Sequence, residues 1–138
     1  MSPPARKLER VGLHALIPGL AHARALAPAV SRADRDADFS AVDGLRVPAI
    51  AALLDARGSA QAALLVTATS RESDAVVASL RSYLPDATVL AFPAWETLPH
   101  ERLSPSAETV GRRLRALRDL GRWTAARDGH LVVVASGR

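Results

Sequence analysis

At 138 residues, 49% of them hydrophobic and 23% charged, the chain has the length and composition of one folded domain with a single core, which excludes a disordered polyampholyte. There is no cysteine, and His14, His22, His100 and His130 are scattered singly, so a disulfide framework and the usual spaced-ligand metal sites are excluded as well. The net charge of +4 rests almost wholly on arginine, with Lys7 the single lysine among 18 basic residues; a GC-rich coding sequence explains that balance as well as phosphate contact does.

Along the chain, Arg6, Lys7 and Arg10 precede a partly apolar stretch, Val11 to Val30. His14, Pro18, His22 and Arg24 interrupt it, whereas a secretion signal needs a continuous apolar core and a membrane span about 18 apolar residues. The chain therefore reads as cytoplasmic, with no membrane partner. Leu13, Leu16, Ile17 and Leu20 fall at helix spacing, and Pro18 is expected to break or kink that helix. Ser31 to Asp38 alternates in charge and reads as a solvated linker. The organisation expected is an N-terminal helical segment with its linker over 1–38, then one domain over 39–138.

Pro48 suits a first helical turn, Ile50, Leu53 and Leu54 its apolar face, and Gly58 its stop. Ala62–Thr67 is a continuous apolar run, the pattern of a strand buried on both faces. Thr69 with Glu72 forms a capping box that opens a helix carrying Val76, Val77, Leu80 and Leu84, which Pro85 closes. Ala87–Ala91 reads as a second strand. Three prolines then fall within the fourteen residues 92–105 and forbid regular structure through most of that stretch. Ser104 and Pro105 are placed as N-cap and first-turn residue of the next helix, with Val110, Leu114 and Leu117 as its core face and an end near Leu120. Leu131–Ala135 is the third strand. Strands alternating with helices imply right-handed crossovers and a parallel α/β sheet.

In such sheets ligands gather at the carboxyl ends of the strands, here the loops 68–71, 92–105 and 136–138. Neither G-x-x-x-x-G-K-[ST] nor G-x-G-x-x-G occurs, and Ser40–Pro48, which sits where a phosphate loop would sit if the fold were RecA-like, has one glycine and no Gly-Lys-Ser/Thr. No nucleophile elbow stands out. Glu96, His100 and Glu101 cluster in the proline-rich loop and read as a solvated surface. No catalytic residue, cofactor ligand or metal ligand is assigned. Between Arg102 and Arg127 seven arginines face only Glu108 and Asp119. Arg115, Arg118 and Arg122 line one helical stripe, and with Arg112 they are candidates for contact with phosphate or with a neighbouring domain, against the plainer reading of a solvated face. Trp95 and Trp123 read as packing residues that pin the chain onto the core.

The blocks Leu64–Ala75, Phe92–Pro105, Val110–Leu117 and Val132–Ser136 resemble, in order and spacing, the start of the transcription-repair coupling factors, the Mfd family. The most specific element is the loop Trp95, Glu96, Thr97, Leu98, Pro99, Glu101, Ser104 and Pro105. The resemblance implies an incomplete RecA-like (P-loop NTPase-like) sheet with a degenerate nucleotide site, similar to the first domain of the damage-verifying protein UvrB. It implies a non-catalytic module, part of an ATP-dependent DNA translocase that displaces stalled RNA polymerase and recruits nucleotide excision repair. ATP and Mg would belong to a downstream motor. The implied partners are the remaining domains, UvrA, RNA polymerase and double-stranded DNA. UvrB's tyrosine-rich hairpin has no counterpart in the Trp95 loop. Since the family continues into another helix after the third strand, the chain is expected to be a truncated sequence of actinobacterial type. Two other readings stay open: part of an ATP-dependent UvrB-like or helicase enzyme whose phosphate loop has drifted, and a free-standing arginine-rich nucleic-acid-binding domain.

Overall fold

The computed structural model describes residues 12–24, 26–31, 38–96 and 104–137. A 3₁₀ turn over Leu13–Leu16 leads into α1 (Ile17–Ala21), which carries Pro18 in its first turn, where no helical N–H is lost. The apolar spacing in this region thus resolves as two short pieces, and Ile17 alone among them is fully buried. Next come α2 (Ala27–Ser31) and α3 (Asp43–Asp55). The linker expected over 31–38 falls largely outside the described residues.

Helix α3 begins earlier than Pro48 implied, and that proline is a buried interior residue. Its missing N–H would have bonded the carbonyl of Gly44, still in the exposed first turn, so the break costs little there. The helix ends at Asp55, and Gly58 turns the chain with φ +64°.

Strand β1 (Ala62–Thr67) is followed by α4 (Ser70–Tyr83), β2 (Thr88–Phe92), α5 (Ala107–Arg122), the short α6 (Ala125–Asp128) and β3 (Leu131–Ser136). All three strands are parallel, in the order β1-β3-β2, so the last strand is inserted between the first two. Gly129, with φ +65° and no room for a β-carbon, which would come within 3.1 Å of the Asp86 carbonyl oxygen, makes the turn into β3.

One face of the sheet presents Val89, Val132 and Val134, with Ala63, Leu65 and Ala91 beside them. Val77 and Leu80 of α4 and Leu84 at its C-cap pack there, joined by Ile17 and by Ala51, Ala52 and Leu54 of α3. Burying each of these larger side chains contributes roughly 1.5–3 kcal/mol, and this one layer is where the stability of the domain lies.

The opposite face departs from expectation. β1 is not buried on both faces: Leu64 is 66% and Val66 70% exposed. Lying at the sheet's edge, β1 is covered on the core side only. Helix α5 packs chiefly along β2. It is also rotated from its predicted setting, with Thr109 and Ala116 buried while Leu114 and Leu117 stand 61% and 50% exposed.

Candidate functional site at the carboxyl edge of the sheet

The three strands deliver Thr67, Phe92 and Ser136 to one edge, and hydroxyl groups tie that edge together. The Thr67 hydroxyl donates to the Thr69 carbonyl at 3.0 Å, and the Gly137 N–H donates to the Thr67 carbonyl at 2.9 Å. Ser136 Oγ accepts from the Ala94 N–H at 3.0 Å and lies 3.3 Å from Ser70 Oγ.

The turn between β1 and α4 is only Ala68 and Thr69. Thr69 caps the helix, its Oγ1 accepting from the Glu72 N–H at 3.2 Å. The Glu72 carboxylate reaches back to accept from the Ala68 N–H, also at 3.2 Å, and Arg46 of α3 approaches it at 3.8 Å. The capping box read from the sequence is present, and a carboxylate of the chain's own occupies the start of this helix.

This junction, strand then turn then helix, has the geometry that a phosphate loop requires. Ser40–Pro48 does not: residues 38–42 are not a strand, and Val42 leads straight into α3.

The start of α5 repeats the pattern. Its N-cap is Ser106 rather than Ser104, because Ser106 Oγ accepts from the Thr109 N–H at 3.1 Å, while Ser104 lies outside the helix, exposed. Pro105, half-buried, precedes the cap instead of opening the first turn. Glu96 is no free loop carboxylate. It accepts from the Ser106 N–H (3.1 Å), the Ser106 hydroxyl (3.0 Å) and the Thr109 hydroxyl (2.6 Å). The Thr109 hydroxyl, then the Ser106 N–H and hydroxyl, hold its carboxyl below the usual carboxylate range. Thr97, Leu98, Pro99, His100, Glu101 and Arg102 lie outside the described residues.

Trp95, expected to be pinned on the core, is 48% exposed. It rests instead on the Arg113 guanidinium, whose carbon lies 4.2 Å from the Trp95 ring centre and 4.0 Å from that of Phe92. Arg113 also donates to the Pro93 carbonyl. Trp123 is half-buried, and its indole N–H finds no acceptor among the described residues.

Of the candidate arginines, Arg112 pairs with Asp74 of α4 at 3.0 Å and Arg118 with its neighbour Asp119 at 2.9 Å. Arg115, Arg118 and Arg122 are exposed on the outer flank of α5. The site thus brings together Glu96 and Arg112 but neither Trp95, which stacks on Arg113, nor the outer stripe. Sequence reading missed Ser106, Thr109 and Arg113. The Ser106-x-x-Thr109 spacing was a usable capping signal, whereas nothing in the sequence marks Arg113 for stacking.

A cleft of about 140 Å³ remains between Ser70, Asp74, Glu96, Thr109, Arg112 and Ser136. Most of its polar groups already bond one another, so it forms a self-satisfied hydrogen-bond network. No cluster of three or more His, Cys, Asp or Glu among the described residues is placed to hold a metal ion, and no described helix is long and apolar enough to cross a membrane.

No family model matches the chain. Transcription-repair-coupling factors of Mycobacterium bovis and Mycobacterium tuberculosis are each 55% identical to it over 78 residues, which is 55% of this chain. The match spans 6% of the length of either relative. Across that stretch the chain is related to the transcription-repair coupling factors.

Proposed function

We propose that this relative of the transcription-repair coupling factors is a non-catalytic UvrB-like module of such a factor, acting as scaffold and regulator rather than as motor. The 55% identity over 78 residues carries the reading. The parallel sheet in the order β1-β3-β2 is compatible with part of a RecA-like fold whose nucleotide site has degenerated.

The residues at the strand–turn–helix junction do not fit a nucleotide. A triphosphate needs a glycine-rich loop of free backbone N–H groups with a lysine and a hydroxyl at the helix start. Here the turn has two residues, Ala68 and Thr69, and no glycine. Ser70, Arg71 and Glu72 follow, so a hydroxyl is present but no lysine, and Glu72 places a negative charge on the Ala68 N–H where a phosphate would need it. Catalysis, ATP and Mg belong, in this reading, to other parts of a longer protein. RNA polymerase, UvrA and double-stranded DNA are the partners of that whole, and the cytoplasm its compartment.

The test is an exchange. Replacing the matched stretch of the Mycobacterium tuberculosis factor by the corresponding residues of this chain should leave a folded protein that still releases stalled RNA polymerase from DNA. A folded chimera unable to do so would count against the reading. The rival nucleic-acid reading draws on the exposed Arg115 and Arg122. It requires salt-dependent duplex binding that Arg115→Glu with Arg122→Glu abolishes; the module reading expects no such loss.

A further inference from the structure

Strand β2 lies at the end of the sheet, so one of its edges pairs with β3 and the other has no described strand beside it. The register says which backbone groups face outward. The Thr88 N–H donates to the His130 carbonyl at 2.8 Å, so Thr88, Leu90 and Phe92 turn their polar groups toward β3. Those of Val89 and Ala91, between them, point the other way. The Val89 carbonyl bears this out, accepting from Arg81 Nη2 of α4 at 3.1 Å. The Val89 N–H and both groups of Ala91 have no hydrogen-bond partner among the described residues.

Helices α4 and α5 flank this edge and leave a groove of about 390 Å³, floored by Val89, Leu90 and Ala91. Ala78 and Ala116 on its two walls are small enough to leave room for an extended chain. The rim is charged. Arg81 reaches in from α4, and Arg112 and Arg115 border the groove from α5. Its two carboxylates are already engaged, Asp74 by Arg112 at 3.0 Å and Asp119 by Arg118 at 2.9 Å. Arg81 and Arg115 make no ion pair among the described residues, so the groove carries surplus positive charge.

Edge and charge together select the occupant. A helix bonds its backbone groups internally and could not use the Val89 and Ala91 edge. Nucleic acid phosphates would answer the arginines and leave that edge without strand partners. Two copies joined through β2 would set their arginines against one another in one groove. A charged rim, rather than an apolar surface, suits a partner that comes and goes. We propose that the outer edge of β2 takes an extended acidic segment of a separate partner protein as an added strand. The N–H and C=O groups of the segment pair with those of Val89 and Ala91, and its carboxylates meet Arg81 and Arg115. Arg81, which caps the Val89 carbonyl in the free chain, turns to a carboxylate and yields that carbonyl to a peptide N–H. Strand addition draws affinity from the main chain and selectivity from the side chains.

The probe is a blocked, fluorescent peptide of about eight residues with glutamate on both faces, followed by anisotropy. Titrated with the 138-residue chain, it should saturate with a Kd of about 100 micromolar or below and weaken as salt rises from about 50 to about 200 mM. N-methylation separates an added strand from a simple polyanion: methylating one set of alternate residues should abolish binding, and methylating the other should spare it. Arg81→Glu with Arg115→Glu should weaken binding about tenfold or more. Both positions are exposed, so circular dichroism should show the variant folded. Absence of saturation, equal binding of a lysine-for-glutamate peptide, indifference to the double variant, or an equal response to the two methylations would overturn the proposal. So would a dimer in sedimentation that the peptide dissociates, which gives the edge to a second copy. A folded coupling factor carrying residues 62–136 of this chain should bind the peptide equally well; loss there gives the groove to a segment of the longer chain and overturns the proposal too. None of these outcomes bears on release of stalled RNA polymerase by the chimera, so the two ideas fail separately.

Discussion

Glu96 shows how far a single side chain can differ from the surface carboxylate that its neighbours suggest. In sequence it sits between prolines, with no apolar period to place it. In the fold it gathers three hydrogen bonds at the start of α5 and closes the proline-rich loop at its base. Because the folded state holds its carboxyl below the ordinary value, Glu96 contributes stability above the unfolded pKa, about 4.3. That contribution is lost as pH falls through the depressed folded value. Glu96→Gln should therefore lower the urea midpoint at neutral pH, with the difference from wild type shrinking toward pH 3 or below. A midpoint difference independent of pH would show that the charge is not what matters. Arg113 makes a comparable case, stacked between Phe92 and Trp95. Arg113→Ala should cost about 1 kcal/mol and shift Trp95 emission to the red as the ring loses its cover; unchanged emission would argue against the stack.

Elements were legible where backbone chemistry decides them and illegible where neighbours do. Continuous apolar runs and turn residues placed β1 at its observed limits and the other two strands within a residue. Thr69 and Glu72 marked the start of α4 correctly. For α5, the period identified Leu114 and Leu117 as sharing a face, but period alone says nothing of which face turns inward. The inward side was decided by partners far away in sequence: Glu96 for Thr109, Asp74 for Arg112, Phe92 for Arg113. The same limit applies to the N-cap, where Ser104 and Ser106 compete two residues apart. Ser106→Ala should cost about 1 kcal/mol in chemical denaturation, and Ser104→Ala should stay within about 0.5 kcal/mol. Reversed magnitudes would return the helix start to Ser104. Gly129, at a positive φ that only glycine adopts without strain, should cost about 1–3 kcal/mol as Gly129→Ala.

At the scale of the whole molecule, the sequence announced a parallel α/β sheet but not its strand order. Insertion of β3 between β1 and β2 leaves β1 at the edge, and that placement turns Leu64 and Val66 from expected core into exposed surface. The strand–turn–helix junction at Thr67–Arg71 stands where the Thr69–Glu72 capping box predicts it. The helix starts at the carboxyl edge are occupied by the chain's own carboxylates, Glu72 from the first turn of α4 and Glu96 from the loop before α5. A coupling-factor module without a nucleotide site of its own should not bind nucleotide, and calorimetric titration of the chain with ATP and Mg tests this. Heats no larger than dilution up to about millimolar ATP are predicted; saturable binding with a micromolar Kd would contradict the claim.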